Sequence, residues 1–222
     1  MASHRRGMAK ALVGNPPFAR SCKDWRVTYT LKKGGLFNAV YSDLQAVDGL
    51  SLELKRGETL GLVGESGSGK TTFGQALIRL LNPQQGEITF DGARIDGLNR
   101  DQLRPFRSRM QIVFQDPFSS MNPRMNVRQV IEEGLIVNKI GTPAQRLDAV
   151  QKALEDAGMP TNILTRFPHE FSGGQRQRIA IARAIALEPE FILLYEPTYA
   201  LGLSVQARVT ALLRKLQRES GL

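Results

Sequence analysis

Apolar residues along this chain form short runs that predict strands. Residues 59–63 form one such run, and residues 191–194 form another, continuous enough for a parallel strand that is buried on both faces. Residues 24–31, 50–54 and 86–90 also have strand character. They predict an antiparallel edge region that flanks the strand at 59–63.

Between residues 118 and 170 the spacing of apolar residues becomes helical. The second of two such segments follows a helix-start signal, Thr142 and Pro143. The apolar positions are Val127, Val130 and Ile131, then Leu147, Val150 and Leu154. These segments predict a helical lobe at about residues 118–170.

Three more helices are predicted from start signals and apolar faces. One covers residues 72–81. Ser172 is the predicted N-cap of a helix over residues 175–187, whose small face of Ile179, Ala180 and Ala184 allows close packing. Ser204 is the predicted cap of a final helix. Its apolar face consists of Val205, Val209, Leu212, Leu213 and Leu216.

The segment after residues 59–63 carries a complete G-x-x-x-x-G-K-[ST] pattern that ends in Lys70 and Thr71. Such a glycine-rich loop points backbone N–H groups at phosphate oxygens, and the next helix presents its positive dipole end there. Lys70 is expected to reach the β- and γ-phosphates, and Thr71 to offer its hydroxyl to Mg²⁺. The predicted nucleotide-binding residues are Gly64, Glu65, Ser66, Gly67, Ser68, Gly69, Lys70, Thr71 and Thr72.

Three later segments resemble the ABC ATPases in order and spacing. Residues 111–116 resemble the Q-loop, residues 171–178 are close to the LSGGQ signature with Phe in first place, and residues 191–198 resemble the Walker B strand and its turn. The resemblance covers roughly residues 25–222. It implies an α/β fold, a P-loop NTPase of the ABC type with an antiparallel β edge region and a helical lobe.

Within that family, residues 114–124 and 167–171 resemble the ATPase subunits of oligopeptide and dipeptide transporters, with the second half of tandem-ATPase peptide importers most similar. The resemblance implies an ATP-binding subunit that energises peptide uptake by nucleotide-driven dimer closure. Its implied partners are integral membrane permease subunits, a second ABC ATPase in a homo- or heterodimer and, indirectly, a substrate-binding protein. Its implied place is the cytoplasmic face of the inner membrane, as a peripheral protein.

The resemblance also implies roles for individual residues. In ABC ATPases two nucleotide domains close head to tail, so Ser172, Gly173, Gly174 and Gln175 would cap the γ-phosphate held by the partner's phosphate loop. Gln115 would contact Mg²⁺ and the attacking water, and Glu196 would act as the base. Tyr29 is the expected adenine-stacking aromatic, with a role as filler of the edge sheet as the alternative.

Three departures from the family pattern leave catalysis open. Tyr195 stands where the family has the acidic residue that helps to hold Mg²⁺, and Gly202 replaces an acidic D-loop residue. The chain also ends at Leu222, before the last core strand and switch histidine that the family carries, so it reads as C-terminally truncated. Stabilisation of transition-state charge by a bound metal ion is worth several kcal/mol. Loss of an acidic residue that supports the ion is therefore expected to lower the rate of hydrolysis by orders of magnitude. The alternative function is therefore a nucleotide-binding, non-hydrolysing regulatory or degenerate subunit that pairs with a competent ATPase.

Charge and composition restrict the remaining possibilities. Of the net charge of +9, residues 1–33 carry +7. Residues 1–22 are therefore predicted to be a basic, disordered extension or a linker remnant, and residues 23–222 the nucleotide-binding domain. Because the rest is nearly neutral, we expect no nucleic-acid partner. Cys22 is the only cysteine and is expected to lie in the tail. His169 is expected to be structural, since a lone histidine is rarely a metal site.

Overall fold

The computed structural model describes residues 18–33, 40–82, 84–117, 119–196 and 202–222. These residues belong to two compact units, one ending at residue 98 and the other beginning at residue 99. Most of the predicted basic extension and the predicted turn at Pro197 and Thr198 lie outside the described residues. The first strand begins at Phe18, inside the segment that the sequence assigns to the extension.

The first unit contains an antiparallel sheet with the strand order β2-β1-β3-β4. Its strands are β1 (Phe18–Lys33), β2 (Val40–Lys55), β3 (Gln85–Phe90) and β4 (Ala93–Arg94). The register of β1 and β2 runs from Phe18 opposite Lys55 to Lys33 opposite Val40. All three predicted edge strands are present, and each extends beyond its predicted bounds.

Helix α1 (Lys70–Leu77) contacts β1 and β2, and its buried side chains belong to the core of this unit. Cys22 in β1 lies opposite Ile88 in β3, and both side chains are buried. Helix α1 contributes the buried side chains of Phe73, Ala76 and Leu77. Cys22 is therefore a core residue of β1, and its predicted place in the basic tail was wrong. The inward-facing positions of a strand take apolar side chains, and a thiol serves as a small one.

Residues 59–63 do not form the predicted strand. Among the described residues no strand pairs with this segment. Leu60 and Leu62 are about half exposed, and Val63 is 93% exposed. Strand tendency is realised only when the backbone groups of an extended segment find partners and its side chains pack against neighbours. The prediction of a strand here was wrong because the apolar pattern alone does not supply those partners.

The second unit combines helices with a parallel sheet formed by β5 (Met110–Val113) and β6 (Phe191–Leu194). Its α-helices are α2 (Arg100–Arg109), α3 (Val127–Val137), α4 (Pro143–Asp156), α5 (Gly173–Ile185) and α6 (Leu203–Ser220). Two short 3-10 helices cover Thr161–Ile163 and Pro168–Glu170. One hydrophobic core joins α3, α4, α5 and α6 to the sheet. The helices predicted between residues 118 and 170 are confirmed.

Two predicted helix starts are confirmed by their caps. Thr142 is the N-cap of α4 and Ser172 the N-cap of α5, and each side chain accepts a hydrogen bond from the backbone N–H three residues later. In both, the glutamine at that third position accepts a hydrogen bond from the cap residue's own N–H. Helix α5 begins at Gly173, two residues earlier than predicted.

Two other helix boundaries differ from the prediction. The N-cap of α6 is Gly202, so Ser204 lies within the first turn and its predicted capping role was wrong. Helix α1 ends at Leu77, short of residue 81, because Arg79 adopts a left-handed backbone conformation with φ of +58°. The guanidinium of Arg79 there donates hydrogen bonds to the carbonyls of Ile95 and Leu98, which hold the chain in this turn.

The mixture of a parallel sheet, an antiparallel edge sheet and a helical lobe confirms the predicted α/β fold class. In the part of the chain that the structure describes, no helix has both the length and the apolar character needed to cross a membrane.

Candidate nucleotide-binding site

The glycine-rich loop curls around the ammonium group of Lys70. Its Nζ donates hydrogen bonds to the carbonyl oxygens of Gly64 at 2.5 Å and Glu65 at 2.6 Å, and lies 3.5 Å from the Ser68 hydroxyl. Lys70 is the first residue of α1, and Gly69, with φ of +87°, is its N-cap. The loop therefore holds a positive charge at the amino end of a helix, where phosphate groups are favoured.

Gly64 lies close to the side chain of Ser68. A Cβ atom built on it would lie 2.8 Å from the Ser68 hydroxyl oxygen, which is closer than real Cβ contacts. The backbone N–H of Ser68 also donates to the carbonyl of Glu65 at 3.2 Å, which closes the turn. The other predicted loop residues lie at the surface. Glu65, Ser66, Gly67, Ser68 and Thr71 are exposed, and Thr72 is half-buried.

Tyr29 belongs to β1, in register opposite Leu44 of β2. Its side chain lies outside the described part of the structure. Both its predicted roles, adenine stacking and filling of the edge sheet, stay predictions.

The parallel strands β5 and β6 bring Gln115 and Glu196 together. Val113 lies opposite Leu194, and the backbone N–H of Tyr195 donates to the Val113 carbonyl at 3.0 Å. Two residues beyond that last pair, the amide nitrogen of Gln115 donates to the Glu196 carboxylate at 2.8 Å. The sequence predicted both residues as site residues. They meet because each lies two positions past the last paired residue of two adjacent parallel strands.

Glu196 has an unusual backbone conformation for a residue with a side chain. Its φ of +37° lies in the left-handed region. Glu196 lies directly after Tyr195 at the end of β6, and both its side chain and that of Gln115 are exposed. Tyr195 is half-buried in the position between the strand and this carboxylate.

The signature turn, Ser172–Gln175, forms the amino end of α5. The Ser172 hydroxyl accepts a hydrogen bond from the Gln175 N–H at 3.4 Å, and the Gln175 side chain accepts one from the Ser172 N–H at 2.9 Å. Ser172, Gly173 and Gln175 are exposed, whereas Gly174 is half-buried against Val205 of α6. The four predicted residues form one surface at a helix N-terminus, which is suited to an anion.

An ion pair formed by Arg166 and Glu170 lies directly before this turn. Arg166 contacts the Glu170 carboxylate at 3.4 Å, donates to the Glu170 carbonyl at 3.1 Å, and stacks over the Phe171 ring at 4.5 Å. The hydrogen bond from the backbone N–H of Phe167 is the main cause that holds the pKa of Glu170 below its usual range, and the contacts with Arg166 lower it further. The sequence analysis missed this pair, although its i, i+4 spacing was a signal.

His169 lies at the surface, whereas Cys22 is buried. The His169 ring stacks on Phe167 with ring centroids 5.8 Å apart. Its structural role stays a prediction. Burial raises the pKa of the Cys22 thiol to about 11. A thiol that stays protonated near neutral pH is a poor nucleophile.

The family model for ABC transporters matches residues 47–199 of this chain. A putative peptide import ATP-binding protein of Brucella ovis is 52% identical over 81% of this chain and 56% of its own length. The oligopeptide transport ATP-binding protein OppF of Bacillus subtilis is 50% identical over 81% of this chain and 59% of its own length. The chain thus spans a little over half the length of these curated relatives.

A solved structure has the same fold. It is the dimeric, post-hydrolysis state of an ATP-binding cassette bound to ADP and Pi, which has a TM-score of 0.78 and 31% sequence identity. The match covers 91% of this chain and 84% of that one. Sequence and structure agree with the resemblance that the motifs indicated: this chain belongs to the ABC transporter family of ATP-binding proteins.

Proposed function

We propose that this chain is the ATP-binding subunit of an ABC peptide importer, and that it energises uptake by nucleotide-driven closure of a cassette dimer. The observation that carries the ATP assignment is the phosphate loop, whose carbonyls enclose the Lys70 ammonium at 2.5 and 2.6 Å. The names of the relatives, which are peptide and oligopeptide transport proteins, support peptide as the cargo.

Lys70 binds the β- and γ-phosphates, together with the backbone N–H groups of residues 64–72. Tyr29 stacks on the adenine. Glu196 accepts a proton from the attacking water, and Gln115 orients that carboxylate through the 2.8 Å hydrogen bond. Across the dimer, the signature turn donates hydrogen bonds to the γ-phosphate on the partner cassette.

The residues at the β5–β6 edge fit Mg²⁺ in part. Gln115 uses its amide nitrogen toward Glu196, which leaves its carbonyl oxygen, a hard donor of the kind that Mg²⁺ takes. Gln115 would offer this oxygen to the ion, which would neutralise phosphate charge when bound. The Thr71 hydroxyl stays the other predicted ligand. Tyr195 adds a neutral phenol beside this edge and so weakens the set.

Tyr195 supports one of the two kinds of dimer, the heterodimer. The signature turn is intact, but a neutral side chain occupies the acidic position of the Walker B segment. Such a chain completes a partner's site better than its own. We therefore favour a heterodimer with a competent second cassette, docked on integral permease subunits at the cytoplasmic face of the inner membrane and served by a substrate-binding protein.

Phosphate release by the co-purified complex with the companion cassette of a peptide importer tests this function. Ser172→Arg places a bulky side chain at the docking surface and should abolish most of the release. Thr142→Arg is the matched control, because it removes the same type of cap, also with a 3.4 Å hydrogen bond, from a helix without a proposed ligand. Equal rates for the two variants would contradict the role of the signature. ATP binding by this chain, with no phosphate release from a complex whose companion cassette has its phosphate-loop lysine replaced, would favour the non-hydrolysing alternative.

A further inference from the structure

The second glycine of the signature turn is in tight contact with another helix of the same chain. A Cβ atom built on Gly174 would lie 2.6 Å from Cγ1 of Val205, and the two other nearest atoms within 4 Å belong to the same valine. Gly173, the preceding residue, is exposed. The space above Gly174 is thus occupied by α6.

Val205 has little freedom to move away. Its branched side chain is stiff, with one strongly preferred rotamer in a helix. Its backbone N–H donates to the carbonyl of Gly202, the N-cap of α6, at 2.8 Å. Val209 and Leu216, further along α6, are buried in the hydrophobic core that α6 shares with α5. Their packing holds α6 in place, so that it cannot shift away from Gly174.

We propose that Val205 is a positioning residue for the signature turn, and that Gly174 is glycine because of this contact within the chain. The proposal rests on the proposed function, in which the turn docks on a nucleotide held by the partner. It extends that function, because it adds a restriction on Gly174 that comes from packing against α6 within the same chain. The contact also ties the turn to Gly202, at the other end of the hydrogen bond from Val205.

A double-mutant cycle on the full chain tests the packing. Gly174→Ala introduces the overlap, and Val205→Ala removes the methyl groups that cause it. Amide hydrogen exchange reports on Gln175 and Arg176, whose N–H groups bond to the hydroxyl and the carbonyl of Ser172. We expect exchange of these amides to be about tenfold faster in Gly174→Ala, consistent with the cost of overpacking, and near the wild-type rate in the double variant.

Gly134→Ala is the matched control for the glycine substitution. Gly134 also lies within a helix, α3, and its nearest neighbour is a methyl group of Leu187 at 3.1 Å. That methyl is the far end of a flexible side chain, so we expect it to move aside without an effect on the amides of Gln175 and Arg176. Faster exchange at these amides in the control would mean that they report general destabilisation.

Phosphate release by the complex tests the positioning role. We expect Val205→Ala and Gly174→Ala each to lower the turnover number several-fold, with ATP binding at the chain's own phosphate loop unchanged, and the double variant to recover most of the rate. Failure of Val205→Ala to rescue Gly174→Ala in exchange, or recovery of exchange without recovery of turnover, would overturn the proposal. A wild-type complex without phosphate release would instead count against the proposed function, and exchange alone would then decide whether Val205 positions the turn.

Discussion

Replacing Glu132 by alanine should destabilise the second unit far more than the same change at the adjacent Glu133. Glu132 lies in α3, and its carboxylate contacts Arg128 and Arg146 at 3.1 Å each. Only 9% of its side chain is exposed. Glu133 also contacts an arginine at 3.1 Å, Arg183, but 46% of its side chain is exposed.

The magnitude follows from burial of the charges. Removing one partner of a buried ion pair costs about 3–5 kcal/mol, because the other charge is left without compensation. Arg146 is 18% exposed and Arg128 is 41% exposed, so only the first stays desolvated. We therefore expect about 3 kcal/mol for Glu132→Ala. An exposed pair contributes about 0.2–1 kcal/mol, which is the expectation for Glu133→Ala.

Urea unfolding followed by circular dichroism measures both free energies. In a separate thermal unfolding experiment by scanning calorimetry, the midpoint temperature should fall by about 6–12 °C for Glu132→Ala. It should change by less than about 4 °C for Glu133→Ala. Equal losses of stability in the two variants would refute the argument from burial.

Three further predictions concern single side chains. Burial raises the pKa of the Cys22 thiol to about 11 in the folded chain. The contribution of the protonated thiol to the free energy of unfolding is therefore complete below the unfolded pKa and is lost as the pH rises toward 11. The urea midpoints of wild type and Cys22→Ala should converge over that range, and a constant difference would contradict this. Tyr195→Asp should raise phosphate release at the chain's own site, measured with a partner whose phosphate-loop lysine is replaced; an unchanged rate would mean that the phenol is not the obstacle. Gly202→Asp, at the N-cap of α6, should raise the free energy of unfolding by a few tenths of a kcal/mol, and a loss above 1 kcal/mol would contradict the cap assignment.

Local signals in the sequence predicted much of this fold. A helix cap and its apolar face depend only on residues within one or two turns. Helices α4 and α5 accordingly begin directly after the predicted caps, Thr142 and Ser172, and within two residues of the predicted starts. The phosphate loop is similarly local, since the contacts of Lys70 with Gly64 and Glu65 span six residues or fewer.

Features that depend on distant partners were not predictable in this way. Residues 59–63 have strand composition but no pairing partner in the described chain, and Cys22 is buried because β3 lies beside β1. The contact between Gln115 and Glu196 links residues 81 positions apart, and the contact between Gly174 and Val205 joins two helices. The sequence identified most of these residues but not which of them touch.

Calorimetric titration of the chain with ATP tests the central claim, that Lys70 and its loop bind a nucleotide. The wild type should bind, and Lys70→Ala should bind at least about tenfold more weakly, since a hydrogen bond to a charged group contributes about 1.5–3 kcal/mol. Lys152→Ala, which removes an exposed lysine paired with Glu188, should bind as the wild type does. Equal ATP affinity in wild type and Lys70→Ala would contradict the account.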